Sequence, residues 1–296
     1  MENLSIEIGN RNIKTSKGVV FPSRYTMFNQ IGTEIIQYKG VNYFIGNGEY
    51  DIELEKSKKD FMPLLLTAIA KSTTSEEINL VLGTPINQKN SKEDFINKLK
   101  DKEFFFTYIN KQGKKSTRII RINKVEVILE GLGSIKYLPK EAGKRSILID
   151  IGGWTTNVLY ISNNKIEDAF TVPKGILSFY QLVKDRKDTE DKCSYKLEEI
   201  EDAIKNGYIT DWQNEKITIF NSIIKEIKNR RPIKLYDKYF TGGGSTDFKE
   251  YIRKINCEIL DNNLFTNVNG NLIIAEEKWM RELYEAWNKW KRLCKN

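Results

Sequence analysis

Residues 147–166 read ILIDIGGWTTNVLYISNNKI. A run of Ile and Leu ends on one carboxylate, Asp150, and passes straight into Gly152 and Gly153. An acid at the end of a buried strand costs free energy unless a cation, a charge partner or hydrogen bonds compensate it. Paired glycines let the backbone turn tightly and approach a ligand closely. Thr155, Thr156 and Asn157 then add hydroxyls and an amide before the next apolar run. Acid, bare backbone and small polar side chains suit a phosphate and its metal. A hairpin tip that merely faces water has the same composition, and this stretch alone does not separate the two.

The stretch has an echo half a chain away. Ile6-Glu7-Ile8-Gly9 matches Ile149-Asp150-Ile151-Gly152, and each copy continues into a polar turn and a second strand. Two similar halves, each offering an acid and a glycine turn, could clamp one anion between them. A third glycine element, YFTGGGSTDF at 239–248, sets Gly242, Gly243 and Gly244 between an apolar strand and a helix. Neither G-x-x-x-x-G-K-[ST] nor G-x-G-x-x-G occurs, so a P-loop and a dinucleotide turn are excluded. Three successive glycines permit backbone contact with a flat ligand; a plain flexible turn is the other reading. Beside the two acid-glycine hairpins, they point to a nucleotide site.

Composition narrows the chemistry. The chain has 296 residues, 30% charged and 40% apolar, which fits a soluble globular protein of about two domains. No apolar run approaches the roughly 20 residues of a membrane helix, and no signal-peptide pattern opens the sequence, so no membrane and a cytoplasmic location are expected. Cys193, Cys257 and Cys294 are odd in number and far apart, which indicates neither a disulfide framework nor a zinc cluster. Histidine is absent, which removes Ser-His-Asp and Cys-His chemistry and every His-ligated metal. Catalysis must rest on carboxylates, lysines, backbone amides and a hard metal such as Mg²⁺. The net charge of +8 permits contact with polyanions, but the groups Lys56–Lys59, Lys111–Lys115 and Lys225–Arg231 are scattered and read as solvated surface.

Periodicity predicts an α/β chain with layered sheets. Strands are expected at the N-terminus, at INLVLGTPI (78–86), as a hairpin about Gly113, and at 147–151, 155–161 and 166–172. Helices are expected at about 61–71, 91–99, 175–184, 196–206 and 213–229, with a last one from about Glu276 to Leu293. Trp279, Leu283, Trp287, Trp290 and Cys294 form one apolar stripe on that last helix, expected to pack on the first domain.

Five segments, taken in order, resemble the actin, sugar kinase and DnaK-type ATPase superfamily, and within it the bacterial actin-like plasmid segregation proteins of the ParM/StbA type. IEIGNRNIK (6–14) resembles the first phosphate loop, with Lys14 seven residues after the acid. VILEGLGSIKYL (127–138) resembles the segment that positions attacking water, LIDIGGWTTNV (148–158) the second phosphate loop, FTGGGS (240–245) the nucleoside loop, and LFTNVNG (264–270) the segment after it. Glu7 stands where most members have Asp, and Trp154 is bulky for its loop.

The resemblance implies an actin-like, duplicated ribonuclease H-like fold of two domains, 1–149 with 275–296 returning to it and 150–274, around a central nucleotide cleft. It implies ATP or GTP with Mg²⁺ as ligands. Asp150 and Glu7 would hold the metal, and Glu130 would orient or deprotonate the attacking water, with Asp150 as its catalytic companion. Glu7, Gly9, Asn10, Asn12 and Lys14 would bind phosphate from one side. Gly152, Gly153, Trp154, Thr155, Thr156 and Asn157 would bind it from the other. Gly242, Gly243, Gly244 and Ser245 would line the base and ribose, with Glu198, Glu199 or Glu201 as possible ribose partners. The implied function is nucleotide-driven assembly of a helical filament of the chain itself, with hydrolysis timing disassembly. Plasmid centromere-like DNA would be engaged through a ParR-type DNA-binding adaptor. A non-polymerising kinase of a small metabolite and a directly DNA-binding module are the rival readings, since fold does not fix function.

Overall fold

The computed structural model describes residues 2–51, 53, 55–88 and 91–293, with side chains described as far as Trp287. The first half contains β1 (Glu2–Ile8), β2 (Asn12–Thr15), β3 (Val20–Pro22), β4 (Tyr25–Thr26), β5 (Glu34–Tyr38), β6 (Val41–Ile45), α1 (Met62–Ser72), β7 (Glu77–Thr84), α2 (Ser91–Leu99), β8 (Lys102–Ile109) and β9 (Lys115–Leu129). The second half contains β10 (Arg145–Ile151), β11 (Thr156–Ser162), β12 (Lys165–Val172), α3 (Ile176–Asp191), α4 (Leu197–Lys205), α5 (Gln213–Arg230), β13 (Asp237–Thr241), α6 (Gly243–Asp247), α7 (Lys249–Lys254), β14 (Glu258–Ile259) and α8 (Thr266–Leu293).

The echo in the sequence becomes an echo in topology. One sheet has the order β3-β2-β1-β7-β9-β8-β5-β6-β4, the other β12-β11-β10-β13-β14. In each, an acid-bearing strand pairs antiparallel with the strand that follows it and parallel with one reached through a helix: β1 with β2 and β7, β10 with β11 and β13. Antiparallel neighbours need only the short glycine turns, whereas the parallel partners need crossovers. Those crossovers place α1 beside the first sheet and α3, α4 and α5 beside the second. Leu4, Ile6, Leu65, Leu80 and Phe106 anchor the first core. Ile147, Ile149, Val158, Phe179, Ile223 and Phe240 anchor the second.

Strands β3–β6 fall in a stretch where periodicity predicted none, and two helices run beyond their expected bounds. Helix α3 continues to Asp191 although its second half is almost wholly charged. Ion pairs one turn apart carry it, Lys184 with Asp188 at 2.5 Å and Arg186 with Glu190 at 3.1 Å. Helix α8 starts at Thr266, ten residues before the expected Glu276. Its Asn- and Gly-rich first turns have poor helix propensity, yet Asn267 and Asn271 are buried. Asn267 Oδ1 accepts the Gly131 N–H at 3.0 Å, and Gly270 lies so close to Gly133 that a Cβ there would strike the Gly133 backbone. Tertiary contact sets this helix start.

The apolar stripe on α8 also divides. Trp279 is buried with Val81, Ile128 and Ala275 against the first sheet, as expected. Leu283 and Trp287 are 65% and 50% exposed, which contradicts their expected packing. The Trp290 side chain and Cys294 lie outside the described residues.

Candidate functional site

The two acid-bearing hairpins meet face to face. In β1–β2, Glu7 stands directly opposite Lys14; in β10–β11, Asp150 stands opposite Asn157. A spacing of seven residues across a short turn makes the two ends cross-strand partners, close enough for side chains to pair. Lys14 Nζ donates to Glu7 Oε1 at 3.0 Å, and both residues are buried. Glu7 Oε2 is buried without a hydrogen-bond partner. Burial alone would raise the Glu7 carboxyl, but Lys14 and Lys56 outweigh it and hold it below its usual range, with the Asn267 amide adding to the lowering. Burial likewise lowers Lys14, while Glu7, Asp150 and Glu130 more than reverse this and raise it.

Asp150 is the opposite case. Burial, then the charges of Glu7 and Glu130, push it up to about 7 against the pull of Lys14 and Lys56. Gly242 lies against it at φ +83°, where a Cβ would strike the Asp150 carboxylate and the Ile151 carbonyl. That turn therefore requires glycine on both counts.

The turns themselves touch. A Cβ on Gly153 would come within 3.1 Å of the Arg11 amide nitrogen, and one on Gly175 would strike the Gly153 carbonyl. The first amides of α3 are used up here, Ile176 N–H donating to Gly152 O at 3.1 Å and Leu177 N–H to Gly153 O at 2.8 Å. The Gly152 N–H donates to Thr155 O at 2.8 Å inside its own turn, so it is not free to receive a phosphate as expected.

Between the turns lies a cavity of about 40 Å³. Glu7, Gly9, Asn10, Asn12, Lys14, Glu130, Gly152, Gly153, Thr155, Gly243 and Gly244 all line it, so most of the residues singled out from sequence converge on one point. The others do not reach it. Trp154 packs against the second core. Thr156 is spent on the Lys174 carbonyl at 2.8 Å, and the Ser245 hydroxyl bonds the Thr241 carbonyl within its own turn. Asp150 and Gly242 lie behind the lining, and Asn157 faces Glu130 instead. Among the ribose candidates, Glu201 is buried and turned toward the cleft, whereas Glu199 caps its own helix at Lys196. Glu198 Oε2 is buried without a partner.

Glu130 directly follows β9 and is held by its backbone, its N–H donating to Thr84 O at 2.8 Å, before Gly131 turns the chain at φ +87°. Its carboxylate is clamped from both halves: Lys56 donates to Oε1, and Asn157 Nδ2 donates to Oε2 at 2.8 Å. Four cationic or phenolic residues here escaped sequence reasoning. Lys56 is only 2% exposed, and Lys59 donates to Asn10 Oδ1 at 2.8 Å with its amine pushed down to about 8 by burial. Lys56 and Lys59 thus face inward, which overturns the reading of their group as solvated surface, while Lys58 stays exposed. Arg11 crosses the cleft to Asp247 at 2.6 Å and to Glu201 at 2.8 Å, and Tyr50 donates to Glu201 Oε2 at 2.6 Å. Only the position of Arg11, inside the first glycine turn, carried a sequence signal.

A hard cation fits this donor set. The unpartnered Glu7 Oε2 and the crowded Asp150 carboxyl would each be relieved by positive charge. Among the described residues, no three acidic or cysteine side chains gather closely enough to hold a metal by themselves. Water and ligand oxygens would have to complete its shell, as Mg²⁺ prefers.

Paired halves of this topology, meeting at acid-bearing glycine hairpins, define the actin-like fold. Residues 5–133 match the family model for the N-terminal domain of actin-like proteins. Solved structures extend the likeness to nearly the whole chain. An archaeal actin homolog in complex with ADP superposes with a TM-score of 0.77 at 18% identity, covering 94% of this chain and 100% of its own. A 15-stranded ParM filament from Clostridium botulinum gives 0.76 at 19% identity, covering 94% and 100%. AlfA from a Bacillus subtilis plasmid, also solved as a filament, gives 0.59 at 19% identity, covering 92% and 98%. No curated protein sequence matches the chain.

Proposed function

We propose that the chain is a nucleotide-dependent filament-forming protein that hydrolyses ATP or GTP and serves plasmid DNA segregation. The carrying observation is the convergence of Glu7, Lys14, Glu130 and two glycine turns on one point between the sheets. Support for the nucleotide comes from the ADP complex of the archaeal homolog, and support for assembly and plasmids from the ParM and AlfA filaments. We take the two sheets as two domains, with α8 returning to the first; the expected division after residue 149 would cut through β10, so we place it just before Arg145. No helix among the described residues is long and apolar enough to cross a membrane.

In this reading Lys14 neutralises phosphate charge, and the amides of the two turns other than that of Gly152 receive phosphate oxygens. Glu7 and Asp150 would hold Mg²⁺, which when bound would neutralise charge on the phosphate oxygens. Glu130 accepts a hydrogen bond from the attacking water and fixes its direction toward the terminal phosphate. The chain would assemble head to tail, an arrangement that extends into a helical filament when its rotation does not close. DNA is reached through a ParR-type adaptor, because scattered lysines attract DNA without reading bases.

The test is light scattering and phosphate release on one sample with ATP, GTP, each diphosphate or no nucleotide. Scattering that rises with a triphosphate and decays as phosphate appears is expected. Phosphorylation of a small metabolite without scattering under any condition would leave the kinase reading in its place.

A further inference from the structure

We propose that Lys56 is a positioning residue for nucleotide hydrolysis, acting through Glu130; this rests on the hydrolytic reading above. Its side chain is one of the largest fully buried in the molecule, although an isolated lysine ammonium is costly to remove from water. The segment bearing it is pinned at several points. Lys56 N–H donates to Gln88 Oε1 at 3.1 Å, Ser57 Oγ donates to Asp94 Oδ2 at 3.0 Å, and Lys98 Nζ reaches the Ser57 carbonyl at 2.5 Å. Lys59 closes the far end on Asn10 of the first glycine turn. Such anchoring leaves the Lys56 side chain one direction, into the cavity, where it meets Glu130.

The consequence is geometric. Glu130 has one oxygen on Lys56 and the other on Asn157, so its plane is fixed by a contact from each half of the molecule. Held in that plane by both contacts, the carboxylate can direct a water by accepting its hydrogen. Lys56 thereby assigns Glu130 the orienting role of the two the sequence left open.

A buried pair broken on one side leaves an unpaired charge, so single variants can harm folding. The test therefore uses Lys56→Met, Lys56→Arg, Glu130→Gln and the Lys56→Met/Glu130→Gln double variant, which replaces the pair by neutral groups. Triphosphate affinity and single-turnover phosphate release are measured on each. Lys56→Met is expected to keep affinity within about threefold and to slow release about 10²-fold. Lys56→Arg should recover at least a tenth of the wild-type rate. The double variant should be no slower than Glu130→Gln, because residues acting as a unit are not additive. Wild-type release from Lys56→Met overturns the proposal, as does a double variant at least tenfold slower than Glu130→Gln. No phosphate release from the wild-type chain with any triphosphate overturns it together with the hydrolytic reading.

Discussion

The Glu7–Lys14 pair and the Asp150–Asn157 pair occupy the same place in two hairpins but carry different charge. Glu7 has a cation across the strand and is lowered; Asp150 has only an amide and is raised to about 7. Asp150 is thus the acid with the most to gain from a bound cation, while Glu130 already has its partners. Their variants should separate binding from hydrolysis. Asp150→Ala is expected to lose Mg-nucleotide binding and filaments. Glu130→Ala should assemble with triphosphate and persist, releasing phosphate about 10²–10⁴-fold more slowly. Phosphate release and scattering on the same samples check this, and wild-type turnover by Glu130→Ala would remove it from the mechanism. Asp150 was legible because an acid before glycines in an apolar run is a costly arrangement, whereas Glu130 was reached only through the resemblance of its segment. Lys56 was not, since nothing local distinguishes a buried lysine from an exposed one until Gln88 and Asp94 fix its segment.

At the scale of elements, the strands beside the acid-bearing glycine turns were legible, whereas β3–β6 and helix starts set by contact were not. Helix α8 makes the point through Gly270. Glycine inside a helix ordinarily destabilises it by about 1 kcal/mol relative to alanine, so Gly→Ala should stabilise. Here a Cβ would strike the Gly133 backbone, and Gly133 in turn has Asn267 and Asn271 against it. Neither backbone can yield cheaply, so Gly270→Ala is expected to destabilise by about 1–3 kcal/mol. Further along, Trp279→Ala should cost about 3–5 kcal/mol because the ring is buried. Trp287→Ala should change stability by less than about 1 kcal/mol from its half-exposed position. Denaturant midpoints of the three variants test the ordering. A Trp287 effect equal to that of Trp279 would mean that α8 keeps its whole stripe covered in solution.

For the whole molecule, the sequence echo announced two halves, but nothing in it announced how tightly they close. Closure depends on pairs between distant segments, above all Arg11 with Glu201 and Asp247. A cavity of about 40 Å³ is far smaller than the roughly 300–1,000 Å³ of a ligand pocket, so under the proposed function we expect these bonds to part when nucleotide enters. Their strength is readable from Glu201. Burial would raise its carboxyl, yet Arg11, Lys205 and Tyr50 bring it down to about 2 from 4.5. A group lowered on folding stabilises the folded chain above its unfolded value and loses that contribution as pH falls toward its folded value. At neutral pH the contribution is present in full, and between 4.5 and about 2 it drains away. Glu201→Gln removes the charge while keeping the shape. Without nucleotide, the variant should be less stable than wild type by about 1–2 kcal/mol at neutral pH, after allowing for solvent screening. That gap should narrow steadily as both proteins are melted at successively lower pH below about 5. A gap that stays constant down to the acid limit would show that Glu201 contributes by packing rather than by its charge, and that Arg11 does not hold the cleft shut through it.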